Sequence, residues 1–298
     1  MNKDALSILF FTLLAGVGLF VLRSVPLNNF ITPLSSLTAS STLTSRAPTY
    51  RNPSPSASPS SPTVSASTST PINPYDIPAG FSANDLSPYF HKIRFSTAYP
   101  GYGSSYGQVA LSSNFYDDEH IDITGWLIQG NQGSQIVPHA INVYDPTGLA
   151  PETDIIMKQN SIVRMYSTAS AIGRNLQLNE CSGYLANANS FTPELPLTCP
   201  RPTDSEISGY SNPCQDYVSS LSTCGAPAAN PPGLEYDNAC RSYLLTLNYR
   251  GCYERHVNDV NFLGNEWWVW TNNNFVATRR ENLRLFDNNH LLVDTYQY

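Results

Sequence analysis

Six cysteines, Cys181, Cys199, Cys214, Cys224, Cys240 and Cys252, are the most reactive side chains in this 298-residue chain, and all fall within one stretch of about seventy residues. A thiolate can ligate zinc or act as a nucleophile; two thiols can cross-link. Zinc is disfavoured by spacing. No Cys-x-x-Cys occurs, and His91, His120, His139, His256 and His290 are scattered without a His-x-x-x-His pair. An even count in an exported chain reads as three disulfides in an oxidising compartment. With all six paired, no thiol nucleophile remains, and no Gly-x-Ser-x-Gly is present. No catalytic residue, metal ligand set or cofactor motif is indicated. The run Asp117-Asp-Glu-His120 could hold calcium through loop carboxylates; a solvated turn is the plainer reading.

Binding chemistry rests on aromatics. Trp267, Trp268 and Trp270 are the sharpest cluster, and strand alternation places Trp268 and Trp270 on one face and Trp267 on the other. One face is core. The other is either packed under the cysteine-rich segment or open to a sugar or a protein partner. Tyr99, Tyr102 and Tyr106 punctuate Tyr99-Pro-Gly-Tyr-Gly-Ser-Ser-Tyr-Gly107. Those glycines lack the strand-to-helix spacing of a phosphate loop. The tyrosines could stack on sugar rings, or belong to a mobile surface loop. Tyr99, Tyr102, Tyr106, Trp267 and Trp268 are therefore the candidate binding residues. Trp126 reads as core.

Short β-branched and aromatic runs carry these residues. Strands are predicted at Gln108–Ser113, His120–Ile128, Asp154–Met157, Ser161–Ser167, Glu266–Trp270, Leu283–Phe286 and Leu291–Tyr296. Seven or so short strands with turn punctuation suggest a β-sandwich. The cysteine-rich segment, about 176–262, reads as a helical insertion. Asn212-Pro213 opens a helix through Val218 and Leu221 to Cys224, and Asp237 caps a second from Asn238 to Arg250, ended by Gly251. An antiparallel helical hairpin would join Cys214 to Cys252 and Cys224 to Cys240, leaving Cys181 with Cys199. Sequence alone allows fifteen pairings.

Ala5 to Leu22 runs eighteen residues without a charge or a proline. It reads as a membrane anchor over 1–23, with a cleaved signal peptide as the alternative. Residues 24–83 are rich in Ser, Thr, Pro and Ala, and too poor in apolar side chains to fold. As a stalk they would span roughly 45 Å coiled or ~190 Å as polyproline II. They could carry the folded region, 84–298, through a wall layer, or serve as a passive glycosylated spacer. Net charge is −7 and the only lysines are Lys3, Lys92 and Lys158, which excludes a nucleic-acid partner on electrostatic grounds. Charged residues make up 13% of the chain, against about 25% in ordinary domains, so surface polarity comes from Asn, Ser, Thr, Gln and Tyr. No Asn-x-Ser/Thr acceptor has an allowed middle residue, which points to bacterial rather than eukaryotic export.

Three segments carry a family resemblance. Ile121-Asp-Ile-Thr-Gly-Trp-Leu-Ile128 is similar to the apolar-x-Leu-x-Gly-Trp strand of lamin tail domains. Asp154 to Tyr166 resembles that family's following hairpin, with Asn160 where glycine is usual; Asn also tolerates a left-handed turn. Glu281 to Asp294 resembles the closing hairpin, with His290 at or near a family glycine. The cysteine-rich segment lies outside the resemblance. It implies an immunoglobulin-like β-sandwich with no catalytic residues of its own, in an adhesive, scaffolding or positioning role. The expected protein is a membrane-anchored, extracytoplasmic binding or structural module facing cell-envelope polymer or a surface protein. The alternative is an envelope-acting hydrolase using loop carboxylates.

Overall fold

A computed structural model describes residues 73–298 apart from 104 and 117. The predicted anchor, 1–23, and the stalk up to residue 72 lie outside the described residues. Among the described residues no helix is long and apolar enough to cross a membrane.

The described chain is mainly β. Its strands are β1 Ile93–Tyr99, β2 Gln108–Ser113, β3 Ile121–Asp122, β4 Leu127–Gln129, β5 Ser134–Ile136, β6 Ile156–Met157, β7 Ile162–Tyr166, β8 Leu176–Asn179, β9 Leu263–Trp270, β10 Asn282–Phe286 and β11 Leu292–Gln297. They form a five-stranded sheet in the order β1-β2-β7-β9-β8, a four-stranded sheet β11-β10-β4-β5 and the pair β3-β6. One hydrophobic cluster draws on both larger sheets: Ile93, Leu111, Val163 and Trp267 from the first, Ile128, Leu285 and Val293 from the second. Trp126 lies in it, 1% exposed. β7 and β9 are parallel neighbours, so the chain leaves this core after β7 and β8 and re-enters it at β9.

The predicted single strand His120–Ile128 is two strands in different sheets. Asp122 Oδ1 accepts from Thr124 N at 2.8 Å and Gly125 takes φ +82°, so the chain turns between them. Ile121, Ile123, Trp126 and Ile128 are nevertheless all buried. Asn160 and His290 both sit in the left-handed region, at φ 60° and 59°. β1 lacks a clean alternation because a bulge between Phe95 and Thr97 shifts its phase.

Between β8 and β9 the insertion folds into helices α1 Asp204–Ile207, α2 Asn212–Ser220, α3 Asn238–Leu244 and α4 Tyr249–His256. Its disulfides are Cys181–Cys252, Cys199–Cys224 and Cys214–Cys240, so none of the three expected pairings forms. Two local features explain this. First, α2 stops at Ser220, Leu221 is extended, and Cys224 sits beyond the helix at φ 56°. Second, the predicted helix Asn238–Arg250 breaks at Leu245–Asn248, where Asn248 caps α4 by accepting from Gly251 N at 3.0 Å. Gly251 therefore starts a helix rather than ending one. The starts of α2 and α3 meet, instead of lying head to tail. Ser211 and Asp237 cap them, Ser211 Oγ donates to Asp237 Oδ2 at 2.6 Å, and Cys214 and Cys240 occupy the same third position of their helices. A β-carbon on Gly251 would overlap the Thr246 carbonyl oxygen and lie 3.0 Å from the Thr246 Cα. We expect Gly251→Ala to cost about 3 kcal/mol, read by chemical denaturation; an unchanged midpoint would show that the α3–α4 break is not rigid.

Candidate binding face

The outer face of the five-stranded sheet is ordered in rows by its register. Tyr99, Gln108, Tyr166 and Trp270 form one row across β1, β2, β7 and β9. Thr97, Ala110, Arg164, Trp268 and Leu176 form the next, with Ile162 beside Glu266 below. The insertion covers one half of this face. Trp268, Trp270, Tyr166 and Leu176 share a buried cluster with Tyr184, Leu185, Phe191 and Cys199. The other half stays partly open, with Tyr99 38% exposed and Ile162, Arg164 and Glu266 half-buried.

This placement corrects the tryptophan expectation. Trp267 points into the main core and is 3% exposed; Trp268 lies under the insertion and is 4% exposed. Alternation does set the two rings on opposite faces, but both faces of β9 are covered, so Trp267 and Trp268 form no exposed patch. The tyrosines are placed differently. Tyr102 is 81% exposed at the tip of the β1–β2 loop, and Tyr106 is half-buried. The ends of that loop are closed by Gly107 N donating to Ser167 Oγ at 2.7 Å and Ser167 N donating to Gly107 O at 3.0 Å. At Gly101 a β-carbon would come within 2.9 Å of Gly107 N, so the close approach requires glycine.

Tyr99 and Tyr106 join an aromatic row that runs under the insertion. Ring centroids are 6.4 Å apart for Tyr99–Tyr106, 5.6 Å for the edge-on Tyr106–Tyr166 pair, and 4.9 Å for Tyr166–Trp268. Tyr99 Oη donates to Gln108 Oε1 at 2.6 Å. Burial, and then the neighbouring Tyr106, holds the Tyr99 hydroxyl above the ordinary phenol range. Arg164 Nε donates to Glu266 Oε1 at 2.6 Å, and Trp268 Nε1 donates to the same oxygen at 2.6 Å. The open half-face thus offers the Tyr99 ring beside the half-buried Arg164 guanidinium and Glu266 carboxylate, while Gln108, 6% exposed, serves to hold the Tyr99 hydroxyl.

Gln108, Arg164 and Glu266 were not predicted. For Arg164 and Glu266 the signal was a charge within an otherwise apolar strand, but it is the β7–β9 register that brings the two together. The acidic run gains no support as a calcium loop: both oxygens of Glu119 accept from Lys92 Nζ at 2.8 Å, and Asp117 lies outside the described residues. Among the described residues no three His, Cys, Asp or Glu side chains converge as a metal-ligand group.

Fold and face define a mainly β, disulfide-stapled domain whose three bridges point to an oxidising compartment. No protein-family model, curated protein or solved structure matches the chain.

Proposed function

We propose that this protein is an extracytoplasmic binding module, anchored by its N-terminal segment, that presents a lamin-tail-like, immunoglobulin-like sandwich to cell-envelope glycan. The sandwich reading is supported by the single core shared between two sheets and by the left-handed Asn160 and His290, which stand where the family it resembles uses glycine. The binding reading is carried by one observation: Tyr99 and Tyr106 pair at 6.4 Å on a partly open sheet face that also carries the Arg164–Glu266 pair, and Tyr102, 81% exposed, stands on the loop between them. Aromatic faces stack on the apolar faces of sugar rings, and planar polar groups satisfy their hydroxyls. A hydrolase would need an uncommitted acid pair. Glu266 is held by both Arg164 and Trp268, which speaks against that alternative.

The full chain should sediment with insoluble envelope polymer. Tyr99→Ala with Tyr102→Ala should weaken that binding roughly 30-fold, as removal of about 2 kcal/mol of contact energy implies. Sedimentation unchanged by the pair of substitutions would defeat the assignment of this face.

A further inference from the structure

A recess of about 170 Å³ lies within the insertion, where the end of α2 meets the Cys199–Cys224 bridge and the break between α3 and α4. Val218, Leu221 and Leu247 give it apolar walls, and Tyr184, Arg201 and Thr223 give it polar ones. It shares no residue with the tyrosine face. Its frame is fixed on two sides. A β-carbon on Gly183 would overlap Cys224 Sγ and lie 3.0 Å from Cys199 Sγ, so the turn that carries Tyr184 is pressed onto the bridge. Arg201 Nε and Nη2 donate to Thr223 Oγ1 at 3.2 and 3.1 Å, which ties together the chain on either side of that bridge.

Two polar groups of the lining are uncommitted. Arg201 is its only charged residue and enters no ion pair among the described residues. Its bonds to Thr223 occupy two guanidinium N–H groups and leave the other three for a ligand. Tyr184 is 7% exposed, yet its hydroxyl has no hydrogen-bond partner among the described residues and is not sealed from solvent as that of Tyr243 is. A largely buried hydroxyl without a partner is costly unless a water or a ligand group meets it. Guanidinium and phenol both donate, and no carboxylate of the lining competes for them, so the complementary group is an anion. The walls set its charge and size. α2 ends at Ser220 beside the recess, and the negative end of its dipole, together with the aliphatic side chains, disfavours a dianion such as phosphate. A carboxylate carries a single charge, and its plane matches the guanidinium fork. A cavity of about 150 Å³ takes up benzene, so the apolar walls accommodate a body of that size.

We propose that this recess binds a small monocarboxylate with a compact apolar body. The carboxylate meets Arg201 and the Tyr184 hydroxyl, and the body rests against Val218, Leu221 and Leu247. Benzoate is the probe. In the full chain it should shift the amide resonances of Thr223 and Gly225 saturably. Benzamide, its neutral isostere, and inorganic phosphate should leave them in place at the same concentrations. Arg201→Gln should weaken benzoate binding about ten-fold or more, as loss of a charge-assisted hydrogen bond implies, and Tyr184→Phe about three-fold. Arg201 is exposed, so its substitution leaves the fold intact, and an unchanged melting temperature is the control for both variants. Failure of benzoate to saturate the shifts, equal binding of benzamide, or unweakened binding in either variant would overturn the proposal.

Discussion

Replacing Cys181 and Cys252 together by alanine is expected to lower the unfolding free energy by about 4 kcal/mol and to uncover the tryptophans of β9. The bridge spans 71 residues, and the chain-entropy cost of closing such a loop sets that magnitude. For a domain of this size the melting temperature should fall by about 8–16 °C. The effect is not only entropic. Both cysteines are fully buried in the cluster that joins the insertion to Tyr166, Trp268 and Trp270. Cys181 follows β8 directly and Cys252 lies in α4, so the bridge clamps the root of the insertion. It is backed by a buried polar chain in which Asn179 Nδ2 donates to Tyr249 Oη at 3.1 Å and Tyr249 Oη donates to Tyr144 O at 2.7 Å. Loosening the root should expose Trp268 and Trp270 and shift tryptophan emission to longer wavelength before the main transition. The Cys214–Cys240 bridge, with a separation of 26, provides the contrast. Its removal should cost about 3.5 kcal/mol by the same argument but leave tryptophan emission unchanged, because its cluster contains no residue of the sheets. Identical fluorescence in the two double variants would refute the clamp.

That contrast also marks where sequence reading succeeds and where it stops. Strand composition, turn residues and period-two alternation are local properties, so the first two made Gln108–Ser113 and Ser161–Ser167 legible and the third the opposite orientation of Trp267 and Trp268. Burial on both sides of β9 was not legible, because it depends on a helical segment that folds back from outside the strand. The start of α2 at Asn212–Pro213 and the Asp237 cap were likewise visible, since capping is local, although the cap of α2 is Ser211, one residue before the expected Asn212. The disulfides were not, because their pairing depends on how two helices meet. An assumed hairpin set α2 against the far end of α3; the two N-termini instead share the Ser211–Asp237 hydrogen bond. At the candidate face, the tyrosines announced themselves by type and spacing. Arg164 and Glu266 become a pair only through the parallel β7–β9 register, which no local pattern encodes.

Glu281→Ala is expected to destabilise the domain by about 3–5 kcal/mol and to weaken the tyrosine face from a distance. Glu281 is 2% exposed, yet it forms no ion pair among the described residues. Its carboxylate instead collects three backbone donors, one from the β4–β5 turn and two from its own stretch of chain. Oε1 accepts from Asn131 N at 2.8 Å and from Asn282 N at 2.9 Å, and Oε2 accepts from Ala277 N. Truncation strands all three N–H groups, and each stranded donor costs about 1–3 kcal/mol; shared relaxation keeps the total below the sum. Glu281→Gln isolates the acceptor count from side-chain volume. An amide keeps one oxygen and turns an N–H₂ toward a backbone donor, so it should recover less than half of the loss. The structural consequence follows the chain from Ala277 back to Asn273. Phe275 and Val276, at 4% and 2% exposure, are the core anchors of this loop, and Asn274 touches Gly107 at the base of the tyrosine loop. Freed of Glu281, the loop should relax away from Gly107, and the Gly107–Ser167 hydrogen bonds that hold Tyr106 against Tyr166 should weaken with it. Amide exchange at Gly107 and Ser167 should then accelerate at least ten-fold in Glu281→Ala under native conditions, while exchange at Cys214 and Cys240 in the insertion should not. Uniform acceleration across both regions would mean that Glu281 acts only on global stability, with no local path to the face.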